Sequence, residues 1–232
     1  PDLATGRGDC DVNNDMRRNN MKHRILLFIG LLALAFSACS GNPDRCRTDQ
    51  AVLEDSFNDT ACGWKTYDRS EASAGFATSE FFVTVKEPST SATAAPGLEL
   101  DNVIIEVDTR LASGATDNNL GVLCRYTDMN HFYAFLISSD GYYAVDLMQA
   151  GEWVSLVGWE ASAAIQQGLG MVNHLAVECH GSEFDFAVNG THLTTVSDAN
   201  FASGSIGLAA GTFGEPGVVI QYDNLRLTEL GE

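Results

Sequence analysis

Basic residues are scarce in this chain. Lys and Arg number 13 against 31 Asp and Glu in 232 residues, a formal net charge of −18. Five of the basic residues (Arg7, Arg17, Arg18, Lys22, Arg24) and four of the acids (Asp2, Asp9, Asp11, Asp15) precede Cys39. The remainder therefore carries 8 basic and 27 acidic groups, a net charge of −19. A surface that acidic repels phosphate backbones and anionic lipid, so no nucleic-acid partner is expected. It suits solubility, divalent cations or a salty habitat. No C-x-x-C is present, which gives no support to a zinc ribbon or a thioredoxin-like site. G-x-S-x-G, H-E-x-x-H and P-loop signatures are also missing. The histidines after Cys39 (His131, His174, His180, His192) are too scattered for metal-ligand spacing. There is no internal repeat and no low-complexity stretch. The one long apolar run, 25–36, is about a dozen residues, too short to cross a hydrocarbon core of ~30 Å.

That run has the length of a signal-peptide core instead, and Lys22-His23-Arg24 supplies the positive charge expected before it. Phe36-Ser37-Ala38-Cys39 follows, with small residues before a cysteine and Phe36 where Leu is usual. It resembles the lipobox of bacterial lipoproteins, which implies lipidation at Cys39, export, and attachment to a membrane through the lipid alone, at the outer membrane or cell surface. The expected organisation is 1–20 as upstream sequence or an alternative start, 21–38 as signal peptide, 39–50 as anchor and linker, and 51–232 as one domain. A chain that long buries enough surface to fold without a metal or partner.

The cysteines agree with export. Beyond Cys10 and Cys39 there are four, an even number that suggests two disulfides and allows three connectivities. The pairing expected here is Cys46–Cys62 with Cys124–Cys179.

From residue 52 onward the sequence reads as strands broken by turns at short spacing, an all-β pattern. Strands are expected at 81–85, 103–108, 120–126, 132–137, 142–148, 153–159, 175–179, 184–188, 193–196, 206–210 and 218–227. Asn189-Gly190 marks a tight hairpin, because a type I′ turn needs positive φ at both positions. Only 161–167 reads as a helical turn. Period-two alternation puts Leu175, Val177 and Cys179 on one face and Glu178 on the other; likewise it sets Val122, Cys124 and Tyr126 against Leu123 and Arg125. If Cys124 and Cys179 sit on adjacent strands, Arg125 and Glu178 share the exposed face.

Several segments, in order, carry a resemblance: Asp55-Ser56-Phe57-Asn58-Asp59 with Gly63-Trp64, Gly121-Val122-Leu123-Cys124-Arg125-Tyr126, the run 132–143, Val188-Asn189-Gly190, and Tyr222-Asp223-Asn224-Leu225. Together they resemble concanavalin A-like jelly rolls of the laminin-G-like and keto-disaccharide-hydrolase-like kind. The resemblance implies a two-sheet antiparallel jelly-roll sandwich with a concave, sugar-holding face. It also implies, in some members, a structural calcium ion, for which Asp55 and Asp223 are the acids in place.

Catalysis is less well supported than recognition. Laminarinase-type relatives of that architecture carry Glu-x-Asp-x-x-Glu; here Glu106-Val107-Asp108 begins the pattern and Leu111 ends it. Retaining hydrolysis needs two carboxyls ~5–5.5 Å apart. The expectation is therefore a module that binds a glycan or polysaccharide, with glycoside hydrolysis of the keto-disaccharide type, or a structural or adhesive role, as alternatives. Arg125 and Glu178 are the expected polar pair, with Tyr133 or Tyr143 as the stacking ring. Tyr142, Trp153 and Trp159 also fall where one strand face is wet.

Overall fold

The computed structural model describes residues 46, 53–60 and 62–231. The signal, the lipobox and Cys39 lie outside them. Fifteen strands follow in order: β1 (Leu53–Asp55), β2 (Tyr67–Asp68), β3 (Ala72–Ala77), β4 (Glu80–Val85), β5 (Ser91–Ala94), β6 (Val103–Ser113), β7 (Asn118–Asp128), β8 (His131–Ile137), β9 (Tyr142–Gln149), β10 (Glu152–Ala161), β11 (Asn173–His180), β12 (Glu183–Val188), β13 (Thr191–Ser197), β14 (Ser205–Thr212) and β15 (Val218–Glu229). A nine-stranded sheet runs β13-β12-β11-β6-β15-β4-β3-β2, with β1 also on β15, and a six-stranded sheet runs β10-β9-β8-β7-β14-β5. Every pairing is antiparallel, so the chain is a two-sheet jelly-roll sandwich. Residues 161–167 form no helix; Ser162 caps a turn through Ile165 N–H to its carbonyl, 3.3 Å.

The alternating residues that face inward make the core. On the larger sheet these include Phe81, Ile105, Val107, Val177 and Phe186; on the smaller, Leu120, Val122, Phe135, Val145 and Leu208. Burying each such side chain contributes roughly 1.5–3 kcal/mol. Tyr222 reaches from β15 across the core. Its hydroxyl donates to Ala209 O at 2.5 Å and accepts from Gly121 N–H at 3.1 Å, so one phenol ties both sheets together. Asn189 and Gly190 both have positive φ (51° and 76°) and close the β12–β13 hairpin between Val188 and Thr191.

Both expected disulfides are formed, with Cα–Cα distances of 5.6 Å for Cys46–Cys62 and 6.9 Å for Cys124–Cys179. The second corrects the pairing argument. Cys124 lies on β7 of the six-stranded sheet and Cys179 on β11 of the nine-stranded sheet, so the bond crosses the sandwich instead of joining neighbouring strands. Arg125 and Glu178 consequently do not meet.

Candidate functional site

The six-stranded sheet carries a second apolar cluster on its outer face. On β7, β8 and β9, the residues between the core positions are Asn119, Gly121 and Leu123; Phe132, Ala134 and Leu136; and Tyr142, Ala144, Asp146 and Met148. Register aligns them in rows. Ser155, Asp146, Ala134, Leu123 and Gly207 run side by side across five strands, and Trp153, Met148 and Phe132 form the next row. Small residues in the first row leave a depression that the larger side chains around it enclose. The result is a groove of about 400 Å³ to which all six strands contribute, from Ser91 and Thr93 on β5 to Trp153 and Trp159 on β10.

Its two tryptophans are exposed and held. Trp153 is 51% exposed and meets Phe132 edge-on, ring centroids 5.7 Å apart; Trp159 is 38% exposed and meets Phe213 in the same way, also at 5.7 Å. Edge-to-face packing of this kind is favourable by about 0.5–1.5 kcal/mol beyond the area buried. Each indole therefore presents a flat surface with one edge packed against a second ring. They stand at opposite ends of β10, with Ser155 between them.

Asp146 is the one ionisable residue in the groove lining among the described residues. Burial raises its pKa above the ordinary carboxylate value, and a hydrogen bond from Ser155 pulls in the other direction. A half-buried carboxylate is a strong acceptor for hydroxyl donors. With no second carboxyl beside it, the groove lacks the pair that retaining or inverting glycoside hydrolysis employs.

The residues expected to bind sugar fall elsewhere. At Arg125 the backbone is left-handed (φ 53°), within a register break between Cys124 and Asp128. This bulge interrupts the alternation. Arg125, expected outside, is 2% exposed; it donates to the Phe201 and Ala202 carbonyls and sits 5.3 Å from the Phe184 ring. Burial lowers its pKa. Tyr126, expected inside, stacks on Phe132 of the outer cluster, 5.6 Å between centroids. Gly204 accommodates the bulge, because a Cβ there would lie 2.6 Å from the Arg125 carbonyl carbon. Glu178 lies half-buried on the outer face of the opposite sheet, between Asp185 and Ile104.

Tyr133 and Tyr143 point into the core. Tyr133 donates to Asp198 at 2.5 Å and accepts from Phe201 N–H at 3.2 Å, while Tyr143 donates to Glu160 at 2.9 Å. Burial, with the Asp198 hydrogen bond, pushes the Tyr133 phenol up to about 12. Both rings are structural. Trp153 and Trp159 are the expected aromatics that reach the groove; Asp146, Phe132, Phe213 and Asn119 join them unannounced.

Both oxygens of Asp55, one of the two acids expected at a calcium site, are hydrogen-bonded within the chain. One accepts from Phe57 N–H at 2.7 Å and the other from the Trp64 indole at 3.0 Å, fixing the first turn of the domain. Asp223 accepts from Asn224 N–H at 2.7 Å. No group of three His, Cys, Asp or Glu gathers among the described residues, and this donor set does not fit the ion. Glu106 and Asp108 lie on the nine-stranded sheet, where His174 stands 3.8 Å from the first and 2.8 Å from the second, away from the groove.

No protein-family model matches the sequence, and no curated protein matches it. Solved structures do. A carbohydrate binding module, CBM66, from Bacillus subtilis is 16% identical, with 72% of this chain and 96% of that one covered and a TM-score of 0.51. The Bacillus licheniformis β-glucanase is 12% identical over 79% of this chain and all of its own, with a TM-score of 0.58. A Bacillus subtilis protein of unknown function with a galectin-like fold is 8% identical over 79% and 97% of the two chains, again at 0.58. At such identities the likeness is one of fold, and the chain has the concanavalin A-like jelly-roll fold.

Proposed function

We propose that the chain is an exported binding module that holds a carbohydrate in the groove on its six-stranded sheet. The observation that carries this is the pair of exposed indoles, Trp153 and Trp159, each packed edge-on against a second ring and flanking a half-buried carboxylate in a largely apolar groove. Pyranose rings offer a C–H face that stacks on such surfaces and hydroxyls that donate to such an acceptor. Structures of the same fold are named as a carbohydrate binding module and a β-glucanase, which favours sugar over protein or lipid as the occupant. The lone carboxylate favours holding a sugar over cleaving it. Calorimetry against a panel of polysaccharides tests the reading: Trp153→Ala and Trp159→Ala should each weaken binding roughly tenfold, ~1.4 kcal/mol. Failure of every glycan to bind, or binding by both variants as tight as that of the parent, overturns it.

Disulfides formed at Cys46–Cys62 and Cys124–Cys179 suit an oxidising, extracytoplasmic compartment. The lipobox-like Ser37-Ala38-Cys39 supports a lipid anchor at the membrane surface, with the domain displayed outside. On this reading Cys39→Ser, once its signal is removed, leaves the membrane fraction for the soluble one; retention in the membrane would sink the anchor.

A further inference from the structure

The described residues include six with basic side chains, and four of them are committed. Lys86 pairs with Asp68, Arg110 with Glu80 at 2.7 Å, and Arg226 with Glu54 at 2.7 Å, while Arg125 is buried against backbone carbonyls. The two that form no ion pair among the described residues, Lys65 and Arg69, line one and the same cavity, about 440 Å³.

Their placement follows from the chain. Residues 65–69 are extended around β2, so Lys65, Tyr67 and Arg69 fall on one side by period two, while Thr66 and Asp68 line a depression on the other. β2 ends the nine-stranded sheet and β5 ends the six-stranded one, and the cavity opens where these two edges meet. Tyr67 spans the gap: its hydroxyl donates to Thr93 O on β5 at 3.0 Å. The Arg69 guanidinium sits 5.2 Å over the Tyr67 ring, a cation–π contact at the cavity wall. Glu71 and Glu99 also border the cavity, but each carboxylate accepts from a serine hydroxyl, Ser70 and Ser203, at 2.8 Å. Ser91, Thr93 and Met129 line this cavity and the groove alike, so the two adjoin.

We propose that this edge cavity is a second subsite, in which Lys65 and Arg69 hold the carboxylate or sulfate of an acidic sugar whose chain continues into the groove. The inference rests on the carbohydrate reading and adds the charge class of the ligand. A net charge of −18 works against anions at long range, yet the Debye length is only ~10 Å at 0.1 M salt, so nearby cations decide what the cavity holds. Among the described residues Lys65 and Arg69 are the Lys and Arg side chains that form no ion pair. They flank Tyr67 in a recess that Glu71 and Glu99 also border, so an anion would be met by this pair of donors and not by a net positive field. A planar guanidinium also matches carboxylate and sulfate geometry with paired donors.

Calorimetry with neutral and uronate-bearing oligosaccharides of equal length tests this on the protein and on a Lys65→Met/Arg69→Met double variant. Both positions are exposed, so the substitutions leave the core intact. The acidic chain should bind about tenfold tighter at low salt, ~1.4 kcal/mol. That advantage should vanish in the double variant and in ~1 M salt, where the Debye length is ~3 Å, while neutral binding stays put. An acidic chain that binds no tighter than the neutral one, or an advantage that survives the double substitution, overturns the subsite and leaves the groove standing. If neither chain binds, the groove reading fails on its own. Free glucuronate then decides the cavity: saturable NMR shifts at residues 65–71 that the double variant abolishes support it, and their absence overturns it.

Discussion

At Arg125 a single left-handed residue redirects its neighbours. The preceding strand alternates as the sequence suggests, with Val122 and Cys124 in the core. The bulge then turns Arg125 inward and Tyr126 outward. Substituting Arg125 would therefore act on stability through the 201–204 segment it holds, and not on a surface face. Asp146 is the residue whose environment argues the other way. The folded chain holds its proton more tightly than the unfolded chain does, because burial penalises the carboxylate. That penalty is absent well below the ordinary value of 3.8, appears as pH rises through the folded pKa, and is complete above it. Asp146→Asn should accordingly raise Tm at neutral pH, by about 2 °C given the carboxyl's partial exposure, and the gain should fade in acid. The same substitution should weaken glycan binding several-fold. Stability and affinity moving in opposite directions identify a residue kept for the site, which a thermal melt and a titration on one variant would read out. Asp146 was legible in principle, as the one charged residue in the alternating β9. What the sequence alone withheld was which sheet face β9 turns outward.

At the scale of elements, strands rich in branched and aromatic residues are plain from alternation. Those from β6 to β15 fall close to the expected positions because apolar and polar residues contrast strongly along them. β2, β3 and β5 escape that reading. Ala72-Ser73-Ala74-Gly75-Phe76-Ala77 and Ser91-Ala92-Thr93-Ala94 carry small side chains with little contrast, and they become strands because β4 and β14 offer them ladders. Small residues there are what sheet-edge packing requires. Gly121 on β7, inside the six-stranded sheet, is required for a different reason: a Cβ would lie 2.0 Å from the Phe135 carbonyl oxygen of the neighbouring strand. The phenol of Tyr222 reaches the backbone at that point, and burial raises its pKa. Tyr222→Phe keeps the ring and removes the hydroxyl, leaving the Ala209 carbonyl without this donor. A buried polar group so orphaned costs about 1–3 kcal/mol, so Tm should fall by roughly 3–8 °C, with glycan affinity changed little at the temperature of binding. An unaltered melt would mean the ladder bonds alone satisfy Gly121 and Ala209.

Across the whole molecule, the disulfide Cys124–Cys179 does what strand pairing within either sheet cannot. Hydrogen bonds run mainly within each sheet, and between the sheets there are otherwise side-chain contacts and tyrosine hydroxyls such as those of Tyr222 and Tyr67. The sequence allowed the cysteine pair to be chosen, but neighbouring strands and facing strands satisfy the same alternation, so the sheet assignment waited on three dimensions. The bond closes a span of 55 residues that includes β8, β9 and β10, the strands that carry Phe132, Asp146 and both tryptophans. Opening it restores conformational freedom to the unfolded chain, worth roughly 4 kcal/mol by chain entropy for a loop of that length. Cys124→Ala/Cys179→Ala should then melt well below the parent, by on the order of 10 °C, and reduction of the parent should reproduce the shift. Cys46–Cys62 closes only 16 residues near the domain's start, for roughly 3 kcal/mol on the same account, and touches no strand of the groove. Glycan binding below the melting transition should therefore weaken more in the Cys124/Cys179 double variant than in a Cys46/Cys62 one. Equal binding losses in the two would mean that the inter-sheet bond stabilises the fold without positioning the groove.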